Sequence, residues 1–356
     1  MKAVMTPAVP LSAEEKRLLT PWLLERGLSL DLLDLMTNVP EKTRLLKVYS
    51  EAGQLLGLTN VLVTPSLFMK HCFGQGNHLG TNATFFFTQR ENLAQILAVM
   101  FKELLKNYPF GYYIGFIDPD LGQDFSRALQ SVPHIVSQKI LESGSILISG
   151  TRTSEALLAQ HQHLRRHVRT FEKSGGRIET HVGSLSPQLA QEVVTCCVNS
   201  YRKNLHPGVP IDISSYGEEI YDFLVHYDRA VVISSRCQGR LTGSQIFIRH
   251  ARHLELTEGG FLAENFKAYE NIVLASVRYC EEHNLDKVSY GLVLNETKDR
   301  LMDPDNRSPN YLVMFFAQEP DTAQKDQYQL HSHERFPRLF WKDPTPRHSL
   351  LLKEVL

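Results

Sequence analysis

The sequence predicts an α/β (α+β) protein built from two similar units, each a mixed, twisted sheet flanked by helices. Three observations predict it. Residues 45–63 (LLKVYSEAGQLLGLTNVLV) and 230–250 (AVVISSRCQGRLTGSQIFIRH) both read as strand, polar turn and strand. Both stretches carry Gly-x-Leu-x-Gly, as Gly53, Leu55 and Gly57 and as Gly239, Leu241 and Gly243. Around them the same order recurs in each half: helix, helix, hairpin, strand, helix, strand. The alternative is two unrelated α+β halves that use the same few local motifs.

Residues 12–26 open with a capping box, Ser12 followed three residues on by Glu15, and Leu18, Leu19, Trp22 and Leu23 form a helical stripe. A short helix follows at 30–36, then the first hairpin. Residues 70–80, rich in Gly, His and Asn, read as a loop and a candidate lid. TFFFT at 84–88 reads as a short buried strand. The helix 91–107 keeps Leu93, Ile96, Leu97, Met100, Phe101 and Leu104 on one face and stops before Pro109. GYYIGFID at 111–118 is a strand. In the second half, helices at 189–204 and 216–227 precede the second hairpin. HLELT at 253–257 is a strand, and the helix 269–284 places Tyr269, Ile272, Val273, Ser276, Val277 and Cys280 together. A strand at 287–294 has Gly291 where Gly115 sits in the first half.

Between the halves, residues 154–176 read as one basic helix with Ser154 as N-cap and Gly175-Gly176 as C-cap. Leu157, Leu164, Val168 and Phe171 give it an apolar stripe, and Arg165, Arg166, Arg169 and Lys173 a cationic face. The expected organisation is a first unit at 1–150, this linker at 151–178, a second unit at 179–317 and a polar, Pro-rich tail at 318–356, with 350–352 docking back.

The 356 residues suffice for two cores, and a net charge of −1 gives no global pull toward nucleic acid or anionic membranes. The N-terminus lacks a signal-peptide h-region and no apolar run reaches about 18 residues, so a cytoplasmic protein without membrane association is expected. Five cysteines without C-x-x-C are expected as reduced thiols. No P-loop, dinucleotide fingerprint or Gly-x-Ser-x-Gly elbow is present. His163 and His167 share a helix face and His331-x-His333 could converge if extended, but neither pair has a carboxylate or cysteine at ligand spacing, so no metal is expected.

Two stretches carry a family resemblance. SEALLAQHQHLRRHVRTFEKSGGRIETHVG, with Arg165, Arg166, Phe171, Glu172, Lys173 and Gly175, resembles a segment of the Fem-type aminoacyltransferases. YENIVLASVRYCEEHNLDKVSYGLVLNETK, with Tyr290, Gly291 and Lys298, resembles that family's C-terminal helix and strand. The order hairpin, strand, helix, strand is that of the GNAT acyltransferase fold. A tandem of two such units is similar to the Fem-type and biotin-synthesis-like acetyltransferase group. The resemblance implies transfer of an acyl or aminoacyl group to a small amine. The donor would be acyl-CoA, a carrier-bound thioester or aminoacyl-tRNA, so an acyl or peptidyl carrier protein or tRNA would be a partner. No tightly bound cofactor is implied, and the oligomeric state stays open. The GNAT pyrophosphate motif is missing: TEGGFLAENFKAYEN and TQRENLAQ stand in its place. That leaves room for an acyl or aminoacyl group delivered on tRNA or a carrier protein. A thioester donor is the leading reading, with a Fem-type transferase using aminoacyl-tRNA and a non-catalytic ligand-binding protein on a degenerate GNAT fold as the alternatives.

His253-Leu254-Glu255-Leu256 alternates, so Glu255 points away from the leucines, where a carboxylate could accept the proton of an attacking amine. Glu258 is the second candidate base, and Tyr290 the candidate acid. Gly259-Gly260 is the candidate phosphate-accepting turn, with Lys298, Arg165, Arg166 and Arg169 as candidate phosphate-binding cations. The bland alternatives are a solvated strand face, a core tyrosine and a solvated helix face.

Overall fold

The computed structural model describes residues 1–35, 43–65, 70–73, 85–107, 110–116, 121–132, 135–148, 152–204, 213–262, 267–292, 301–303 and 307–316. The chain begins with β1 (Lys2–Pro7), α1 (Ala13–Glu25), α2 (Leu32–Leu35), β2 (Thr43–Tyr49), β3 (Leu55–Pro65), β4 (Lys70–Phe73), β5 (Phe85–Phe87), α3 (Leu93–Asn107), β6 (Phe110–Phe116), α4 (Gly122–Gln130) and β7 (Ile135–Leu147). It continues with α5 (Ser154–Gln160), α6 (Gln162–Lys173), β8 (Gly176–Val182), α7 (Pro187–Asn204), α8 (Ile213–His226), β9 (Ala230–Cys237), β10 (Arg240–Arg249), β11 (His253–Phe261), α9 (Ala268–Glu282), β12 (Lys287–Leu292) and β13 (Arg307–Phe316). One unit holds Met1–Ser143 with β13 from Ser308 onward, and the other holds Gly144–Arg307.

In the first unit β1, β2, β3 and β4 neighbour one another in that order, all antiparallel, and β5 pairs with β3. The capping box forms as the sequence predicts. Ser12 Oγ accepts the Glu15 N–H and the Glu15 carboxylate accepts the Ser12 N–H. Phe85, Phe86 and Phe87 are buried, with Trp22, Phe101 and Phe125 edge-on or tilted against them. The segment 70–80 is not wholly a loop: Lys70–Phe73 is strand β4, and 74–80 lies outside the described residues. β6 pairs antiparallel with β13, a strand that the sequence reading missed.

In the second unit the strands run β12, β11, β10, β9, β8. Only β11 and β12 are parallel. Phe247, Leu254, Val288 and Tyr290 pack beneath α9, with Leu157 of α5 and Leu164 of α6 in the same cluster. The single linker helix is therefore corrected to two helices inside the second unit. They break at His161, an extended residue with φ −113° and ψ 96°. Thr153, not Ser154, caps α5. The Ser154 N–H and hydroxyl instead donate to Glu281 of α9, at 2.8 and 2.9 Å. α7 covers the opposite face of the sheet, where Gly260 of β11 meets its backbone.

The two glycine-marked hairpins share one construction. Gly53 and Gly239 both have φ +80°, the left-handed region open to glycine. Leu56 and Thr242, the residue between Leu and the second Gly, are each an extra residue in the ladder. The carbonyl of each accepts a 3.0 Å bond from the strand on its other side, Leu56 from Thr88 and Thr242 from Leu262. A Cβ on Gly57 would lie 3.0 Å from the Phe87 ring, and one on Gly243 only 2.3 Å from the Phe261 ring. The five-residue match is thus a turn, a bulge and a close approach repeated in both units.

Among the described residues, no helix is long and apolar enough to cross a membrane. Cys196, Cys197, Cys237 and Cys280 are buried thiols, and burial pushes those of Cys196 and Cys280 up to about 12. Such thiols stay protonated and pack as small apolar groups.

Candidate functional site

The site is set by β11 and β12. His253, Leu254 and Glu255 pair with Lys287, Val288 and Ser289. Among the described residues the pairing stops there, while β11 continues to Phe261 along β10. Two parallel strands that part at their carboxyl ends leave the crevice in which α/β sheets bind ligands.

A bulge lies on β11 within that opening. Leu256 pairs with Phe247 and Glu258 with Ile246, so Thr257 is the extra residue, and its hydroxyl donates to the Ile246 carbonyl at 3.0 Å. The bulge also resets the faces. Glu255 stands opposite Ile248 and Glu258 opposite Ile246, while Leu256 stands opposite Phe247 of the α9 core. Both glutamates therefore share the face covered by α7, although strict alternation would separate them. They are 1% and 4% exposed.

Glu255 is engaged: its Oε2 lies 2.8 Å from His250 Nε2, both side chains being buried. The His250 and His253 rings lie 4.4 Å apart. Burial, then the charges of His250, Lys287 and Arg252, holds the His253 ring well below the usual histidine range, so it is neutral. The sequence reading missed this grouping. H-x-x-H-x-E across a strand turn is its sequence signal, which the helical and terminal histidine pairs do not carry.

Tyr290 is not brought to the glutamates. It lies on the α9 face, 1% exposed, with its hydroxyl bonded to Ser276 and directed at the Val273 carbonyl at 3.4 Å. Burial pushes its phenol well above the ordinary value, outweighing the Ser276 bond. The expected Gly259-Gly260 turn is corrected to strand β11. A Cβ on Gly260 would fall 2.2 Å from the Cys196 carbonyl oxygen, so this glycine serves helix–sheet packing. Arg165 is turned back onto its own segment, donating to the Leu158 and Ala159 carbonyls at the end of α5. Arg166 and Arg169 are exposed. Lys298 lies outside the described residues. His167 Nδ1 lies 2.7 Å from Glu270 Oε1, and the His163 and His167 ring centroids are 6.0 Å apart, edge-on. The N-cap of α9 is Lys267, in a left-handed conformation with φ 68° and no side-chain cap bond.

The sequence matches no known family model and no curated protein. Solved structures match over most of the chain. The C-terminal domain (DUF2156) assigned to a lysylphosphatidylglycerol synthetase from Agrobacterium fabrum is 12% identical with a TM-score of 0.56, covering 90% of this chain and 96% of that one. A tandem GNAT protein from the clavulanic acid biosynthesis pathway is 11% identical with a TM-score of 0.52, covering 90% and 100%. FemX is 13% identical with a TM-score of 0.51, covering 81% and 90%. With each half built on the same bulged hairpin and the second opened between β11 and β12, this chain has the tandem GNAT fold.

Proposed function

We propose that the chain transfers an acyl or aminoacyl group from an activated thioester donor, acyl-CoA or a carrier-bound thioester, to a small amine, with the reaction in the second unit. The observation that supports this most is the gap between β11 and β12, which holds the Thr257 bulge and opens beside Glu258. The extra residue of a bulge stands outside the ladder. Its main-chain N–H is then available to polarise a carbonyl placed in the gap. The amine nitrogen attacks that carbonyl carbon, the carbon–sulfur bond breaks, and the thiolate leaves to take a proton from solvent. Glu258 accepts the proton that the attacking nitrogen loses. Glu258 is preferred to Glu255 because Glu255 lies within the paired, closed end of β11 and β12, whereas Glu258 lies beyond it, beside the gap. Phosphates of the donor would be received near the start of α9, as helix N-termini receive anions.

A second reading, with aminoacyl-tRNA as donor, is favoured by the fold likeness to FemX and by the exposed Arg166 and Arg169 on α6. The experiment is thiol release from acyl-CoA and acyl-carrier thioesters in the presence of amines, run with and without RNase beside an aminoacyl-tRNA assay. Amine-dependent, RNase-insensitive release that falls about 10²-fold or more in Glu258→Gln supports the reading. Turnover only with aminoacyl-tRNA transfers it to the second. Failure of all three donors to raise Tm points to a protein without this chemistry.

A further inference from the structure

Three buried side chains outside that reaction converge at the closed end of the β11–β12 pair. His250 follows β10, His253 opens β11, and Glu255 stands two residues on. One donor atom from each lies within 4.8 Å of the other two. The residues are 2%, 5% and 1% exposed. The His250 N–H donates to the His253 carbonyl at 2.9 Å, so the main chain fixes the turn that presents both rings. We propose that His250, His253 and Glu255 bind one divalent transition-metal ion, with zinc the ion that their chemistry suits.

Two imidazole nitrogens and one carboxylate oxygen are a zinc donor set. Magnesium and calcium prefer all-oxygen shells, so the rings select against them. Bonds of about 2.0–2.2 Å place tetrahedral ligands roughly 3.3–3.5 Å apart. His250 Nε2 and Glu255 Oε2, at 2.8 Å, are already closer than that. The wider separations, up to 4.8 Å, would have to close on binding. Three protein donors leave a fourth position to a solvent oxygen. The ion has a short path in, because Ala251 and Arg252, between the two histidines, are exposed. Arg252 is itself turned outward to Asp286, with Nε at 2.6 Å. Such an ion would pin the β10–β11 turn and the root of β11, two residues before the Thr257 bulge. The proposal stands whether or not Glu258 acts as a base.

The test is metal content and spectroscopy on the full chain, with no activity readout. Protein purified from zinc-supplemented medium should carry about one zinc per chain. EDTA should lower Tm by several degrees, and Zn²⁺ but not Mg²⁺ should restore it. Co²⁺ added to the stripped protein should give the strong visible bands of a four-coordinate site. Those bands should be lost in His253→Asn and in Glu255→Gln, and kept in His163→Asn. Should a variant fail to fold, the stripped and Co²⁺-loaded wild-type protein decides alone. Substoichiometric metal with Tm indifferent to EDTA and Zn²⁺ overturns the proposal, leaving a buried His–Glu pair. Equal Co²⁺ binding by the wild type and the His253→Asn/Glu255→Gln double variant overturns it too.

Discussion

The two units use the same bulged hairpin and fill it in opposite ways. In the first, β5 pairs Phe86 with Leu58 and Phe87 with Gly57. In the second, β11 pairs Gly260 with Ser244 and Phe261 with Gly243. Position for position, Phe86 is replaced by Gly260. Beside them, Lys47 of β2, opposite Leu58, is replaced by Ser234 of β9, opposite Ser244. Lys47 is tied to Glu15 of α1, whereas the buried Ser234 and Ser244 hydroxyls have no hydrogen-bond partner among the described residues. The first unit closes its sheet with aromatic rings and an ion pair. The second brings the α7 backbone onto its sheet and buries Glu255 and Glu258 beneath it. The difference teaches that the shared motif specifies a scaffold, and that the residues set into it decide which unit can host polar chemistry.

The comparison can be broken most sharply at its centre. Phe86→Ala should cost about 3–5 kcal/mol, measured by urea unfolding, because a fully buried ring leaves a cavity. A cost under about 1 kcal/mol would show that the first unit is not sealed by these rings. Gly260→Ala should cost about 3 kcal/mol, since its Cβ would meet carbonyl oxygen and backbone carbons of α7. A neutral result would mean that α7 and β11 are not in backbone contact. Gly243→Ala should be partly rescued by Phe261→Leu, because the clash is with a ring edge. The double-mutant cycle should show a coupling of about 1 kcal/mol, and strict additivity would sink the assignment.

Two smaller effects sharpen the contrast. Tyr290→Phe should lose about 1 kcal/mol of stability through the Ser276 bond while leaving the rate of any transfer reaction within about threefold. A large rate loss would return Tyr290 to the chemistry. In the first unit, burial acts to raise the Glu15 carboxyl, but its bonds to Lys47 and Ser12 win, and it sits below its ordinary value of 4.5. The stability it contributes is therefore present above about pH 4.5 and lost as pH falls through the lower folded value. Glu15→Gln should remove on the order of 1 kcal/mol at pH 7 and nothing once Glu15 is protonated. Equal losses at pH 7 and pH 3 would contradict the pairing.

The sequence alone determined the scaffold, because local physics writes it directly. The capping box of Ser12 and Glu15, the helix stripes of α3 and α9, and the left-handed glycines of both turns are legible in a few adjacent residues. The duplication was legible for the same reason, as turn, bulge and close approach each leave a mark at fixed spacing. Other features needed partners distant in sequence. Gly259 and Gly260 read as a turn until α7 showed why β11 must be bare. Arg165 read as a phosphate ligand until the end of α5 claimed it. Alternation put Glu255 and Glu258 on opposite faces, and only the register against Ile246 and Phe247 revealed the bulge that turns them to the same side. Tertiary structure also closed the turn that gathers His250, His253 and Glu255. Strand pairing is long-range, and a one-residue shift in it exchanges every face, so the placement of charge in this protein was decided there.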